Sequence, residues 1–275
     1  SLVLPGPMLD GASLVNLIDD YQVTAALGVP TIWQGLLNAA QQLGSQLSSL
    51  KRNVVGGAAC PPSMIKTFKE QYQCETIHAW GMTETSPMGV VNQLKAKHEK
   101  LDEGTRCQLR RSQGRPPFGV QLRVCEEEKG TVELERDGHS TGHLQIKGHW
   151  IVDTYFAQDQ SALTADGWFD TGDIATLDED GYLNIADRAK DLIKSGGEWI
   201  SSVELENIAI AHPEIDTVAV IAAHHPRWDE RPILIAKKSP HSQVTESQIL
   251  DYYNEKIAKW QIPDKVIFVD SIPVG

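Results

Sequence analysis

The chain has 275 residues, 41% hydrophobic and 23% charged, which is enough for one or two domains with real hydrophobic cores. Its 25 basic and 37 acidic side chains leave a formal net charge of −12, which argues against nucleic acid or an anionic membrane as the main partner, since both would be repelled. No apolar run approaches the ~20 residues that span a bilayer, Ser1-Leu2-Val3-Leu4-Pro5 carries no charged leader, and Cys60, Cys74, Cys107 and Cys125 show neither Cys-x-x-Cys nor paired-histidine spacing, so a cytoplasmic setting with free thiols is expected.

The first stretch alternates helix and strand. Leu14, Leu17, Ile18 and Tyr21 fall on one helical face, and Val23 to Leu27 reads as a short buried strand. Ile32, Leu36, Leu37, Ala40 and Leu43 mark a second helix. Asn53-Val54-Val55 is a strand entering Gly56-Gly57-Ala58-Ala59. Pro61-Pro62 then opens a helix to about Tyr72, because proline at the first helical position loses only an N–H that would be unpaired anyway. Glu75 to His78 is the next strand. Such alternation predicts a mostly parallel sheet covered by helices, with ligands at the carboxyl ends of the strands.

Two of those ends carry residues suited to a ligand. The small residues of Gly56-Gly57-Ala58-Ala59 either make a tight turn or let a planar ligand approach the backbone. In His78-Ala79-Trp80-Gly81-Met82-Thr83-Glu84-Thr85-Ser86-Pro87, an aromatic ring can stack on a base and a hydroxyl can meet a phosphate. A carboxylate there can hold Mg²⁺. The plain alternatives are packing for the Trp-Gly pair and a helix start for Thr-Glu.

From Gln113 to Ile185 the pattern changes. Gly114-Arg115-Pro116-Pro117 is a turn, and Val120, Leu122 and Val124 alternate with polar residues, as do Leu144 and Ile146, which predicts an antiparallel meander or small barrel. Ile174 to Leu177 and Tyr182 to Ile185 flank Asp178-Glu179-Asp180-Gly181, a strong hairpin signal. Pairing these strands brings Asp173 near Arg188, as a structural ion pair or as a grip on a polyhydroxylated ligand. Beyond Lys190, Leu192 to Ser195 and Trp199-Ile200-Ser201 are strands around Gly196-Gly197. Ser202 is expected to cap a helix with Glu206 near the capping-box position. Strands at Val218 to Ala222 and Ile233 to Ala236 follow, with His225-Pro226 to Arg231-Pro232 between them. A helix through Ile249, Tyr252, Tyr253, Ile257 and Trp260 and a strand at Val266 to Val269 complete a compact α+β unit.

Together these segments resemble the acyl-adenylate-forming (AMP-binding) superfamily. Trp168-Phe169-Asp170-Thr171-Gly172-Asp173 and Asp187-Arg188-Ala189-Lys190-Asp191 are similar to two of its signatures. Trp80-Gly81-Met82-Thr83-Glu84 is similar to its aromatic-Gly-x-Thr-Glu motif, and Gly56-Gly57-Ala58-Ala59 to its adenine-side loop. The wording around Trp80 looks most like the acyl-CoA synthetase branch, with its fatty-acyl and 3-methylmercaptopropionyl-CoA ligases. Gly142-His143-Leu144-Gln145-Ile146-Lys147-Gly148 resembles the family's Gly-Glu-Leu segment with His143 in place of the glutamate.

The resemblance implies ATP or AMP, Mg²⁺ and coenzyme A as cofactors and a small carboxylic acid as substrate; a homodimer is compatible with it. The implied nucleotide-binding set is Gly57, Ala58, Ala59, His78, Ala79, Trp80, Gly81, Met82, Thr83, Asp173, Ile185 and Arg188. By the same match Trp80 lies on the adenine, Asp173 and Arg188 hold the ribose, and Thr83 reaches the phosphate and the reacting carboxylate. Glu84 is the implied Mg²⁺ ligand and Lys190 the hinge; Thr83, Glu84 and Lys190 are the implied catalytic residues. Lys194, Ser195, Gly196, Gly197, Glu198 and Trp199 form the implied loop along the coenzyme A pantetheine. Three parts are expected: an α/β nucleotide-binding part (1–112), a β-rich part completing the AMP site (113–189) and a mobile α+β lid (190–275). The expected reaction is acyl-AMP formation followed by thioester formation.

The sequence contains no Thr-Ser-Gly-Thr-Thr-Gly-x-Pro-Lys-Gly phosphate loop and reaches Ile272-Pro273-Val274-Gly275 without the family's Gly-Lys segment. A ligase fragment, inactive by itself, is the expectation; a catalytically incomplete nucleotide-binding or interaction module is the alternative.

Overall fold

The computed structural model describes residues 1–273; of the expected terminal stretch, Val274 and Gly275 lie outside the described residues. The chain divides into two compact units. One comprises Ser1–Thr171 with Ala175–Ile185; the other takes Gly172–Ile174 together with the described residues from Ala186 onward.

The first unit begins with α1 (Gly11–Tyr21), whose N-terminus is capped by the Asp10 carboxylate accepting from Ser13 N at 3.0 Å. Strand β1 (Ala25–Gly28), α2 (Pro30–Leu43), β2 (Arg52–Val55), α3 (Pro62–Tyr72), β3 (Glu75–Trp80) and β4 (Val90–Val91) follow. Pro30 and Pro62 stand at the first helical turns, where a missing N–H costs no bond. The sheet order is β1-β2-β3-β4, with β1, β2 and β3 parallel and β4 antiparallel to β3. Val15, Ile18, Trp33, Leu36 and Phe68 join its core, and Trp33 meets Phe68 edge to face at 5.6 Å. The short strand expected to be buried at Val23 to Leu27 is shifted and not buried. The strand runs from Ala25 to Gly28 at the sheet's edge, and Leu27 is 79% exposed because no described element covers that side of it.

A helix, α4 (Glu103–Arg111), leads to a second sheet in the order β5-β6-β7-β8, built from Val120–Cys125, Gly142–Gly148, Phe169–Leu177 and Leu183–Arg188. Leu122 pairs with Ile146 and Val124 with Leu144 across an antiparallel ladder. Their side chains pack with Ala175, Leu177 and Leu183 in one core. Among the described residues the sheet is an open meander, β5-β6-β7-β8, with no closed barrel. In the β7–β8 hairpin the Asp178 carboxylate accepts from Asp180 N (2.9 Å) and Tyr182 N (2.8 Å), and Gly181 takes φ +81°.

The second unit holds the hairpin β9 (Ile193–Ser195) and β10 (Glu198–Ile200), helix α5 (Ser202–Ile210), the long hairpin β11 (Ile215–His225) and β12 (Asp229–Lys238), α6 (Glu246–Tyr252) and β13 (Lys265–Phe268). Its sheet runs β10-β9-β12-β11, with β13 parallel to β12. Three expectations change. The cap of α5 is Ser201, whose hydroxyl accepts from Glu204 N at 3.1 Å, while Glu206 accepts from Val220 N at 2.8 Å. Arg231 and Pro232 lie inside β12: Pro232 pairs with Ala222, and the ladder to β13 begins only at Ile233, so the missing proline N–H is not needed. The expected helix to Trp260 stops at Tyr252, because Glu255 takes φ +65°, and Trp260 sits in a separate 3₁₀ turn.

Candidate active site

Within the first unit the carboxyl ends of β2 and β3 lie side by side. Gly57 has φ +82°, and a Cβ on Gly56 would stand 3.2 Å from the Ala79 carbonyl oxygen, so the glycines let the loop after β2 pass close to β3. His78 is 2% exposed, with Nδ1 3.2 Å from the Arg111 carbonyl oxygen. Burial pushes its pKa down, which favours the neutral ring. The half-buried Trp80 ring lies against Gly89, where any Cβ would fall 2.3 Å from a ring carbon. Ala79, Gly81 and Met82 share this segment, and a Cβ on Gly81 would collide with the Pro87 carbonyl oxygen at 1.6 Å.

A 3₁₀ turn, Thr83–Thr85, carries the next residues. The buried Thr85 hydroxyl accepts from Met82 N (2.9 Å) and donates to Pro87 O (2.7 Å), closing the turn on itself. Thr83 is thereby presented to solvent and Glu84 is half-buried. Glu84 Oε1 accepts from the Tyr155 hydroxyl at 2.9 Å, and the Glu84 carbonyl accepts from Val152 N at 2.8 Å. Burial first, then the Glu84 contact, raises the Tyr155 pKa, so the phenol keeps its proton. Nothing in the sequence marks Tyr155: it stands in a segment without periodicity, far along the chain from Glu84. Elsewhere in this unit, Ile185 N donates to Gln113 Oε1 at 2.8 Å.

One further device steadies the run that leads into β7. Arg123 is 7% exposed and meets Asp166 through two bonds of 2.6 and 3.0 Å, donates to Gln145 Oε1 at 2.8 Å and lies 4.5 Å over the Trp168 ring. The Arg123 bonds pull the Asp166 carboxyl down to about 2.

Within the second unit Arg188 Nε is 3.1 Å from Asp173 Oδ1. Asp173 is 2% exposed, whereas the Arg188 side chain is 45% exposed. Ala189 N donates to the Gly172 carbonyl at 2.9 Å and fixes the two segments side by side. The buried Asp187 carboxylate accepts from Arg188 N (2.8 Å) and from Ser202 N (2.6 Å), tying this strand to the start of α5. Lys190 follows in an exposed turn, with Asp191 N and Leu192 N both donating to the Arg188 carbonyl.

The 194–199 loop is pinned at one end and open at the other. Lys194 N donates to Glu230 Oε2 (2.9 Å), the buried Ser195 hydroxyl accepts from Arg231 Nη1 (3.1 Å) and Gly196 N donates to the Trp228 carbonyl (2.8 Å). Gly196 and Gly197 take φ of +61° and +90°, and a Cβ on Gly197 would meet nothing within 4 Å. Glu198 and Trp199 are exposed.

The metal question turns on Glu84. Mg²⁺ is usually bound by one or two carboxylates, with phosphates and waters completing its octahedron. A single half-buried carboxylate beside an exposed hydroxyl fits a cation shared with a bound polyphosphate. It does not fit an ion caged by protein alone, and no cluster of three metal-ligating side chains exists among the described residues.

Comparison with known proteins gives the family to which the chain belongs. The family model for AMP-binding enzymes matches residues 1–156, and the model for the AMP-binding enzyme C-terminal domain matches residues 204–274. The chain is 57% identical over 274 residues to the 3-methylmercaptopropionyl-CoA ligase of Ruegeria lacuscaerulensis, covering 100% of this chain and 50% of that protein. It is 56% identical over 272 residues to the medium-chain-fatty-acid–CoA ligase of Ectopseudomonas oleovorans, covering 99% of this chain and 50% of that protein. It thus spans about half the length of the curated relatives it matches. Its fold is similar to that of o-succinylbenzoate coenzyme A synthetase from Bacillus subtilis in complex with ATP and magnesium ion. The TM-score is 0.76 at 28% identity, over 96% of this chain and 51% of that one.

Proposed function

From the chain's membership of the AMP-binding enzyme family, we propose that it is part of an ATP-dependent carboxylic acid–CoA ligase that forms an acyl-adenylate and then a thioester. The observation that carries the proposal is the Asp173–Arg188 pair: a nearly buried carboxylate 3.1 Å from a half-exposed guanidinium. In this reading Asp173 accepts from the ribose hydroxyls and Arg188 donates to them. Trp80 lies along the adenine beside the small residues Gly57, Ala58 and Ala59. Thr83 donates to the α-phosphate and steers the acid toward it. Mg²⁺, held by Glu84 and the phosphates, supplies charge neutralisation between carboxylate and triphosphate when bound. The side chains contribute position and charge; they take no covalent part.

For the second step, residues 1–112 and 113–189 keep the adenylate in place, while 190–275 act as a lid turning about Lys190. The open Gly197 end of the 194–199 loop then leaves room for the pantetheine arm, since backbone without side chains lines a narrow passage. The acid is a fatty or similar small carboxylic acid, and a homodimer in the cytoplasm is the proposed setting.

The test has two parts. Calorimetric titration of the folded chain is expected to show Mg²⁺-dependent ATP binding. The same chain, fused to the remaining half of the Ruegeria relative, is expected to release pyrophosphate and consume CoA when given medium-chain acids. A folded chain that binds neither ATP nor AMP, with a fusion that is also inert, would overturn the reading and favour an interaction module.

A further inference from the structure

Glu84 and the segment just after its turn are held from outside by one loop, at three points. Trp150 Nε1 donates to the Met88 carbonyl at 3.0 Å, Val152 N donates to the Glu84 carbonyl at 2.8 Å, and the Tyr155 hydroxyl donates to Glu84 Oε1 at 2.9 Å. The loop is itself braced. Ala162 N donates to the Asp153 carbonyl at 2.7 Å, Ser161 Oγ donates to Asp153 Oδ1 at 3.0 Å, and Thr154 and Ser161 form an isolated bridge. Tyr155 therefore approaches Glu84 from a prebuilt support.

A carboxylate on a turn swings about its side-chain torsions. A donor on one oxygen fixes the plane of the group and leaves the other oxygen's lone pairs for a cation. Partners of this kind orient metal ligands, and their loss typically lowers metal affinity by about 10–100-fold. We propose that Tyr155 is a positioning residue for the divalent cation: by holding Glu84 Oε1 it aims Oε2 at the metal shared with the ATP phosphates. This rests on the reading of Glu84 as the Mg²⁺ ligand. Tyr155 itself touches neither metal nor nucleotide in the proposal.

Tyr155→Phe removes the hydroxyl and keeps the ring, which is 41% exposed, so the fold has little to lose. The experiment is a calorimetric titration of ATP into the 275-residue chain at a series of Mg²⁺ concentrations, alongside AMP titrated without metal. For Tyr155→Phe we expect the Mg²⁺ concentration for half-maximal ATP binding to rise about 10-fold or more. Metal-free AMP affinity and the melting temperature should stay at wild-type values. Glu84→Gln should raise the Mg²⁺ requirement at least as far. If Glu84→Gln shifts the requirement and Tyr155→Phe does not, the inference about Tyr155 is overturned and the metal reading stands. If neither variant shifts it, the assignment of Glu84 fails and the inference falls with it. A parallel loss of AMP affinity in Tyr155→Phe would make the residue a general brace of the site, and that too would overturn the proposal.

Discussion

Glu84 and Asp173, the two carboxylates proposed to meet the nucleotide, are set in opposite ways. Asp173 stands on a strand, is 2% exposed, and takes its place from the packing and pairing of β7. Glu84 stands on a three-residue 3₁₀ turn, half-buried, and takes its place from hydrogen bonds reaching in from another loop. The difference suits the two proposed tasks. Ribose hydroxyls are fixed points on a rigid ligand, and a buried carboxylate fixed by the strand meets them without reordering. A cation arrives with the phosphates and brings its own coordination geometry, so its ligand needs a defined plane and some play.

The sharpest way to break that contrast is a pair of substitutions. Asp173→Ala is expected to weaken ATP binding by about 1–3 kcal/mol, the cost of leaving hydrogen-bonding partners unmatched. It should also lower the stability of the chain, because Arg188 loses the carboxylate 3.1 Å away. Glu84→Gln should leave stability within about 0.5 kcal/mol, as a substitution on a partly exposed turn, and act through Mg²⁺ dependence alone. Urea denaturation and ATP calorimetry on both variants check this. Equal stability losses in the two would erase the distinction between a packed carboxylate and a tethered one.

A smaller effect is expected at Lys190. The residue sits in the turn closed by Asp191 N and Leu192 N on the Arg188 carbonyl. Proline there fixes φ and constrains Ala189 before it. In the fusion described above, Lys190→Pro should slow thioester formation by about tenfold, an extra barrier near 1.4 kcal/mol. Acyl-AMP formation, followed by pyrophosphate release, should be nearly unchanged. If both half-reactions fall together, the pivot lies elsewhere.

What the sequence revealed depended on how far apart the cooperating residues lie. Strands β2 and β3, the proline-led α3 and the Gly-rich loops were legible because each rests on local pattern and local φ/ψ needs. The approach of Asp173 to Arg188 was legible because one hairpin turn, with Gly181 at φ +81°, lies between them. Burial was harder to read. Leu27 looks like a core residue by type, yet it points from an edge strand, and the chain holds no local record of what covers a strand. Pro232 reads as punctuation, but it fits inside β12 at a rung where one neighbour has not yet begun. Tyr155 was illegible because its contact with Glu84 depends on a loop path that no periodicity encodes. The proposed roles of Glu84, Asp173 and Arg188 toward ligands came from motif resemblance, which geometry makes chemically reasonable and the titrations above test.

The smallest expected effect concerns a third carboxylate, Glu206, and extends the contrast to one with no ligand to meet. It lies on α5, accepts from Val220 N at 2.8 Å, and has no salt-bridge partner among the described residues. Burial pushes its pKa above the ordinary 4.5, and the negative charges of Asp187 and Asp191 push in the same direction, against the lowering by Val220 N–H. A raised folded-state pKa means that the folded unit holds this proton more tightly than the unfolded chain does. The stability it contributes is therefore complete below about 4.5 and is lost as pH rises through the higher folded value, so at neutral pH the ionised group opposes folding. Glu206→Gln keeps an oxygen to accept from Val220 N and removes the charge. We expect it to raise the stability of the chain slightly at pH 7 and to leave it unchanged near pH 4. Glu206→Ala, which deserts the Val220 N–H, should destabilise at both. Denaturant titrations of the three chains at the two pH values decide the matter. A Gln variant that is no more stable than the wild type at pH 7 would show that the hydrogen bond from Val220 outweighs burial at this position.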